Sequence, residues 1–201
     1  MSDLICLVAD KNMEAAMAEL LKRPAALGIR QIAVEVVVHP RRDPGVFREG
    51  IEFLRPLRDK YGHGLLLLDA AWEGAPQDVQ DQLDQALDNA DLSHWARAIV
   101  IVPELEAWVW SDSPHVDDAL GWARRQPPLR SWLQQRGLWA ANDPKPRNPK
   151  SAVESALYDV RKPRSSSIYR EIAKTVSVER CKDSAFLRLR KTLQEWFGRA
   201  A

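Results

Sequence analysis

Acidic side chains follow three of the four short apolar runs that the sequence predicts to be strands. Asp10 comes directly after the first run, Asp69 after the third, and Glu104 and Glu106 shortly after the fourth. In a parallel sheet the carboxyl ends of the strands lie at one edge, so we expect these carboxylates to converge. Carboxylate oxygens with little histidine or thiolate nearby favour a hard cation such as Mg²⁺ or Mn²⁺. The pattern therefore predicts a metal site for phosphodiester chemistry, with Asp10, Asp69 and Glu104 as ligands. Glu106 would be a further ligand or a base that orients water, which makes all four residues catalytic candidates.

Cationic side chains accompany the same predicted edge. Some follow the first and second apolar runs, and others lie in a loop rich in proline and lysine at 142–150. Cations next to a metal site can hold the phosphates of a nucleic acid. The candidate phosphate or nucleic-acid ligands are Lys11, His39, Arg41, Arg42, Lys145, Arg147 and Lys150.

Most of these residues also have a plain structural interpretation. Asp10 can cap the helix that follows it. Glu104 and Glu106 can complement a helix N-terminus, an effect of about 0.3–1 kcal/mol each. His39 can be a hydrogen-bonding loop residue, and the loop cations can simply be solvated. Asp69 follows four leucines where no helix begins, and this position favours a functional role.

The elements that must position these residues are read from hydrophobic periodicity. Apolar runs predict strands, and amphipathic segments between them predict helices. Because the runs are uniformly apolar, both faces of the sheet should be covered. We therefore predict an α/β fold with a four-stranded, mainly parallel sheet, flanked by helices and joined by right-handed crossovers. The strands are expected at 4–9, 32–38, 65–68 and 98–102, and the helices at 13–21, 46–60 and 78–89.

Two proline and glycine signals mark predicted boundaries. Residues 62–64, Gly-His-Gly, are expected to break the chain before the third strand. Pro103 is expected to end the fourth strand and to occupy the first position of a helix.

The chain after residue 112 reads differently, because only helical patterns follow. We predict an α/β core at 1–112 and an all-helical extension at 113–201 packed on it. The helices of the extension are expected at 116–123, 129–138, 150–161, 166–175 and 184–198.

The net charge of +1 conceals an uneven distribution. Residues 1–141 hold 15 Lys and Arg against 21 Asp and Glu, whereas residues 142–201 hold 14 against 7. An acidic middle followed by a basic tail suits a metal site beside a surface that binds a polyanion. It equally suits two solvated faces that attract each other.

Several other classes of protein lack their signatures here. The sequence contains no P-loop, no Gly-x-Gly-x-x-Gly, no nucleophile elbow and no His or Cys pair with metal-ligand spacing. The first residues do not resemble a signal peptide, and no apolar run approaches the ~20 residues of a membrane span. We therefore expect a cytoplasmic protein without a membrane partner.

The order of these motifs resembles a Toprim-type domain, the metal-binding α/β unit of topoisomerases, primases and overcoming-lysogenization-defect nucleases. The likeness rests on Leu-Val-Ala-Asp-Lys-Asn-Met-Glu, on Leu-Leu-Leu-Leu-Asp and on Pro-Glu-Leu-Glu-Ala-Trp-Val-Trp-Ser-Asp. The third is similar to the His-Glu-Phe-Glu-Ala-type segment of small stand-alone Toprim-like proteins of bacterial phage-defence loci, such as a methylation-associated defence system component. A weaker likeness continues through Asn-Pro-Lys-Ser-Ala-Val-Glu and Asp-Ser-Ala-Phe-Leu.

Two positions depart from the pattern of that family. A Toprim site normally has a glutamate at the end of its first strand, where this chain has Asp10, with Glu14 one helical turn further on. The usual Asp-x-Asp after the third strand is Asp69-Ala70-Ala71, so the second acid is absent. The site could bind metal weakly, use Glu104 as a substitute or be catalytically dead.

The resemblance implies a Mg-dependent nuclease, or another phosphodiester-acting component, of a bacterial anti-phage defence system. The alternative is a catalytically degenerate Toprim-like module that binds nucleic acid or a defence-system partner protein through its basic tail and exposed tryptophans. A third hypothesis is a phosphoryl-transfer enzyme acting on small nucleotides.

Overall fold

Four parallel strands form the centre of the molecule. The structure, a computed structural model, describes residues 2–198. The strands lie in the order β2-β1-β3-β4 and all pair in parallel, so the predicted four-stranded α/β fold is confirmed. Their bounds are β1 Ser2–Val8, β2 Val34–Val38, β3 Tyr61–Asp69 and β4 Ala96–Ile101.

Helices, joined by loops, cover the sheet and follow it in the chain. Those within the α/β part are α1 Lys11–Leu20, α2 Pro24–Leu27, α3 Arg42–Leu54 and α4 Val79–Asn89, with 3₁₀ turns at Arg55–Leu57 and Leu105–Trp108. The later ones are α5 Pro114–Ala119, α6 Leu129–Gln135, α7 Pro149–Asp159, α8 Ser166–Thr175 and α9 Ser184–Phe197. Within 102–198 no strand follows, apart from an isolated bridge between Ile29 and Gly198, as predicted. No helix of the described residues is long and apolar enough to cross a membrane.

The strands are uniformly apolar because the sheet is covered on both faces. In β1 and β3, the two central strands, residues 4–8 and 65–68 are 0–1% exposed. The later helices contribute to the same core, with α8 packed on α1 and α9 on β4. The division of the chain at residue 112 stays a prediction, and residues 199–201 of the predicted extension lie outside the described residues.

Helix α3 begins earlier than the sequence predicts. It starts at Arg42 rather than near residue 46, so Arg42 and Asp43 belong to its first turn. Pro44 misleads the sequence reading here. A proline is tolerated in a first helical turn because the amides there have no partner within the helix. This shift brings Asp43 to the carboxyl edge of the sheet.

The predicted break at 62–64 is wrong, because these residues lie inside β3. Gly64 is required for a packing reason rather than as a turn. A Cβ atom at this position would lie 2.7 Å from Cζ3 and 2.8 Å from Cη2 of Trp95. The Trp95 ring is in turn held by a 3.0 Å hydrogen bond from its Nε1 to the main-chain oxygen of Tyr61.

We predict that Gly64→Ala lowers the free energy of unfolding by about 1–3 kcal/mol, the usual penalty for overpacking. Chemical denaturation would measure the effect. Trp95→Phe removes the two ring atoms that the new methyl group would meet. The double variant should therefore be less destabilised than the sum of the single variants, and additive losses would contradict this packing explanation.

Candidate functional site: a carboxylate edge

Five acids gather at the carboxyl ends of the strands. We call them the carboxylate edge: Asp10, Asp43, Asp69, Glu104 and Glu106. The register explains the convergence: Val8 pairs with Val38 and Leu67, and Asp69 pairs with Ile101. Asp10 and Asp69, two residues beyond the paired Val8 and Leu67, therefore lie level. The charges of Asp43, Glu106 and Asp10 all act on Asp69, and the charge of Glu106 acts on Glu104. The predicted acids therefore share one edge, and Asp43 joins them.

Asp69 stands at the centre of this edge. Its Oδ1 is buried and has no hydrogen-bond partner among the described residues, although the residue as a whole is half-buried. Burial raises the pKa of Asp69 well above its ordinary value, and the negative charges of Asp43, Glu106 and Asp10 raise it further. The main-chain N–H of Leu105 offsets only part of this rise.

Asp43 is a site residue that the sequence reading missed. Its Oδ1 accepts a 2.8 Å hydrogen bond from the main-chain N–H of Asp69. Burial raises the pKa of Asp43, and the charge of Asp10 adds to that rise. The sequence signal for this residue is an acid five residues after the second apolar run, directly after Arg41 and Arg42. All four strands, not three, thus have an acid at their carboxyl ends.

Asp10 caps a helix, as its structural interpretation predicts. It is the N-cap of α1, and its Oδ1 accepts hydrogen bonds from the main-chain N–H groups of Asn12 and Met13, both at 2.9 Å. Because Oδ1 makes both bonds, Oδ2 is left for another partner. Capping and metal binding are therefore compatible at this residue.

The corner after β4 differs from the predicted helix start. The Val102–Pro103 peptide is cis, and a short 3₁₀ turn follows instead of an α-helix. The main-chain oxygen of Pro103 accepts hydrogen bonds from Ala70 at 3.1 Å and Ala71 at 2.9 Å. These two hydrogen bonds join the end of β3 to the corner. The corner, rather than the expected helix, thus carries Glu104 at the end of β4 beside the end of β3.

Glu104 pairs with a cation from the later helices. Its Oε2 is 3.5 Å from the ammonium group of Lys150, which lies in the first turn of α7. Burial raises the pKa of Glu104, the charge of Glu106 adds to the rise, and Lys150 opposes it. Lys150 is therefore one predicted phosphate ligand that the structure brings to the carboxylate edge.

Glu106 is 2% exposed and is held from the C-terminal part of the chain. Its Oε1 accepts hydrogen bonds from the guanidinium group of Arg164 and from the hydroxyl of Tyr169. Arg164 also donates from Nε to the Tyr169 hydroxyl at 2.8 Å. Burial raises the pKa of Tyr169, the charge of Glu106 raises it further, and the phenol stays a proton donor. Sequence reasoning missed both partners because no local spacing links them to Glu106.

The predicted cations near the first and second strands have other contacts. Lys11 pairs with Glu14 at 2.8 Å and is largely exposed. His39 is buried, and its Nδ1 accepts the main-chain N–H of Arg41 at 3.1 Å, which favours the structural interpretation of this histidine. Glu49 forms an ion pair with the guanidinium group of Arg41, and its Oε2 lies 3.5 Å from Nε2 of His39.

Arg42 is exposed in the first turn of α3, and its charge acts against the raised pKa of Asp43. It is therefore a cation near the carboxylate edge.

Two of the predicted loop cations pair with acids outside the carboxylate edge. Lys145 forms an ion pair with Asp183, which caps α9 and accepts a 3.0 Å hydrogen bond from Nε1 of Trp108. Arg147 pairs with Asp143 at 2.9 Å, and its side chain is 85% exposed. Lys145 thus has a structural contact, and Arg147 has the solvated position that was its plain alternative.

The side chains of the carboxylate edge are of the type that binds a hard cation, but they are not positioned as a ligand set. Within residues 2–198, no group of three or more His, Cys, Asp or Glu side chains stands so that it could hold a metal ion. Every donor at the edge is nevertheless a carboxylate oxygen, and one of them, Oδ1 of Asp69, is buried without a partner. A cation bound here would compete with Lys150 for Glu104 and with the main-chain N–H of Asp69 for Asp43.

Comparison with known proteins finds no matching family model, no matching curated protein and no matching solved structure for this chain. The class that the fold defines is an α/β protein with an all-parallel sheet and acids at the carboxyl ends of its strands. Ligand sites of open α/β sheets lie at such ends. Function is therefore inferred from the carboxylate edge and from the charges around it.

We predict that Asp69→Asn stabilises the protein at neutral pH. The gain should be about 1.4 kcal/mol for each unit by which folding raises the pKa of Asp69. Below about pH 3.9 the carboxyl is protonated in both states and the gain vanishes. As pH rises from there to the folded-state pKa, the wild type loses stability through this group and the gain grows to its full size.

Thermal melts of both proteins across this pH range would measure the gain. Asp143→Asn, which changes an acid outside the carboxylate edge, is the matched control and should not stabilise. A variant less stable than the wild type at neutral pH would contradict the burial and repulsion assigned to Asp69.

We also predict that Arg164→Ala destabilises the fold by about 3 kcal/mol, because it leaves Glu106 buried with one partner fewer. Adding Glu106→Gln should restore part of the loss, since the uncompensated charge is then gone. Denaturant titration measures both effects. Arg147→Ala, which removes an exposed arginine, should change stability by less than about 0.5 kcal/mol, and an equal loss there would contradict the prediction.

Proposed function

We propose that this protein is a Toprim-like, Mg²⁺- or Mn²⁺-dependent nuclease, or another phosphodiester-acting component, of a bacterial anti-phage defence system. The observation that carries the proposal is the buried Oδ1 of Asp69, which has no partner among the described residues and lies among like charges. The assignment to defence rests on the likeness of residues 103–112 to the corresponding segment of the phage-defence Toprim-like proteins.

An orphaned carboxylate oxygen among other acids is unfavourable unless it has a ligand. Burying a polar group without a hydrogen bond costs free energy, and nearby like charges add to that cost. Such groups are concentrated at functional sites, where a bound cation or substrate provides the missing partner. A divalent cation would satisfy Oδ1 and neutralise the repulsion in one step.

In this proposal Asp10, Asp69 and Glu104 hold the cation, and Asp43 orients Asp69 through its main-chain hydrogen bond. When bound, such a cation polarises a phosphoryl oxygen and lowers the pKa of a bound water. Glu106 is fixed by its two donors, which favours a positioning role over direct ligation. Lys150 lies beside Glu104, where its ammonium group can receive a phosphate.

The alternative is a catalytically degenerate Toprim-like module that binds nucleic acid or a partner protein. It is favoured by the ion pairs of Glu104 with Lys150 and of Glu106 with Arg164, which neutralise two acids within the chain. The absence of a second acid at Ala71 points the same way. The expectation of exposed tryptophans is wrong, because all eight are buried or half-buried in the described residues. A degenerate module would therefore bind through its cations.

We predict saturable binding of Mn²⁺ and Mg²⁺ by the wild type in calorimetry. Asp69→Asn and Glu104→Gln should each weaken it at least about tenfold, because each removes a charged oxygen ligand. Asp143→Asn, outside the edge, should bind as the wild type does. In parallel, metal-dependent cleavage of DNA and RNA polymers should be lost in Asp69→Asn.

Each result separates the hypotheses. No binding by a folded wild type would overturn the metal-enzyme proposal and leave the degenerate module. Binding without turnover of polymers or of nucleotides would point to a metal-bound structural role. Product from nucleotides but not from polymers would identify the third hypothesis, a phosphoryl-transfer enzyme acting on small nucleotides.

A further inference from the structure

An open groove of about 1040 Å³ lies along the C-terminal half of α7 and the loop that follows it. Tyr158 of α7 lines this groove and is 86% exposed. A single exposed aromatic side chain is ordinary on a protein surface. This one shares the groove with three cations, Arg136, Arg161 and Lys162, and with two acids, Glu154 and Asp159.

The carboxylates that line the groove are already compensated. Asp159 lies between Arg125, at 2.9 Å, and Arg136, at 3.6 Å. Glu154 pairs with Arg164 at 3.3 Å. The groove therefore carries a positive charge that its own acids do not cancel.

Arg161 and Lys162 are the cations of the groove that no described carboxylate compensates, whereas Arg136 is partly neutralised by Asp159. Arg161 forms no ion pair with any described residue, and Lys162 donates to the uncharged main-chain oxygen of Ala119. Arg136 lies with its guanidinium carbon 4.3 Å from the centre of the Trp132 ring. This stacking holds the Arg136 guanidinium group in place, so less entropy is lost when it binds an anion.

The groove is connected to the carboxylate edge by two consecutive contacts. Glu154 lies four residues before Tyr158 in α7, so both side chains are on the same face of the helix. Glu154 contacts Arg164, and Arg164 contacts Glu106 of the carboxylate edge. Arg164 thus contacts one acid of the groove and one acid of the carboxylate edge.

We propose that this groove binds single-stranded nucleic acid, with one base stacked on Tyr158 and the phosphates held by Arg136, Arg161 and Lys162. An exposed aromatic side chain among cations suits an unpaired base, whose flat face is hidden in a duplex. The inference rests on the proposed function and names the substrate class: a single strand that the groove delivers to the carboxylate edge.

The test measures binding apart from cleavage. Labelled single-stranded oligonucleotides of about 12 nucleotides, within the range that one single-strand site covers, are titrated in fluorescence anisotropy. The Asp69→Asn background prevents cleavage during the measurement. Tyr158→Ala should weaken binding on the order of 5- to 150-fold, the range expected for loss of one base stack. Tyr158→Phe keeps the ring and should bind as its parent does.

Charge is tested separately. Arg161→Ala should weaken binding and reduce the salt slope by about one unit, because one phosphate contact is lost. Leu187→Ala and Lys191→Ala remove an exposed apolar side chain and an exposed cation from α9, outside the groove. Both controls should leave affinity unchanged.

Unchanged affinity of Tyr158→Ala would overturn the proposal, and so would a preference for duplexes that Tyr158 does not affect. A change of self-association in Tyr158→Ala without any effect on oligonucleotides would overturn it in favour of a protein partner. These results do not depend on turnover. If Tyr158-dependent binding is found but no polymer is cleaved, the nuclease proposal fails while the groove assignment stands.

Discussion

Repulsion among the acids at the carboxylate edge is the constraint on which the rest of the structure depends. It follows from the register, because parallel strands that end level place Asp10 and Asp69 side by side. The fold offsets the repulsion with a helix N-terminus for Asp10, a main-chain N–H for Asp43 and cations for the two glutamates. Among the five acids of the edge, Asp69 is the one with a buried oxygen that the described residues leave without a partner.

The groups that offset this repulsion come from the later helices, so the acids at the sheet edge depend on those helices for their partners. Lys150 comes from α7, Arg164 from the segment before α8, and Tyr169 from α8 itself. Without these elements Glu106 would be a buried charge with no donor, a strongly destabilising state. The helical part therefore completes the electrostatics of the site, and Lys150 and Arg164 are the two of its basic residues that serve this role.

The sequence predicted what depends on local pattern. Uniformly apolar runs identified the strands, and the parallel arrangement then placed Asp69 and Glu104 at one edge. Prediction from the sequence failed where packing or contacts between distant residues determine the structure. Gly64 reads as a break, but the Trp95 ring requires a glycine within the strand. Asp43 was missed because the helix begins four residues early, and Arg164 because its partner, Glu106, lies 58 residues away.

Arg164 links the carboxylate edge with the groove along α7. It holds Glu106 in the carboxylate edge and Glu154 in the groove, so a phosphate that attracts Arg164 competes with both acids. Arginine suits this position because its planar fork can bind more than one anion at once. Occupation of the groove would then change the charge next to Glu106, and with it the field at Asp69. The same contacts that stabilise the fold would thus couple the proposed nucleic-acid groove to the proposed metal site.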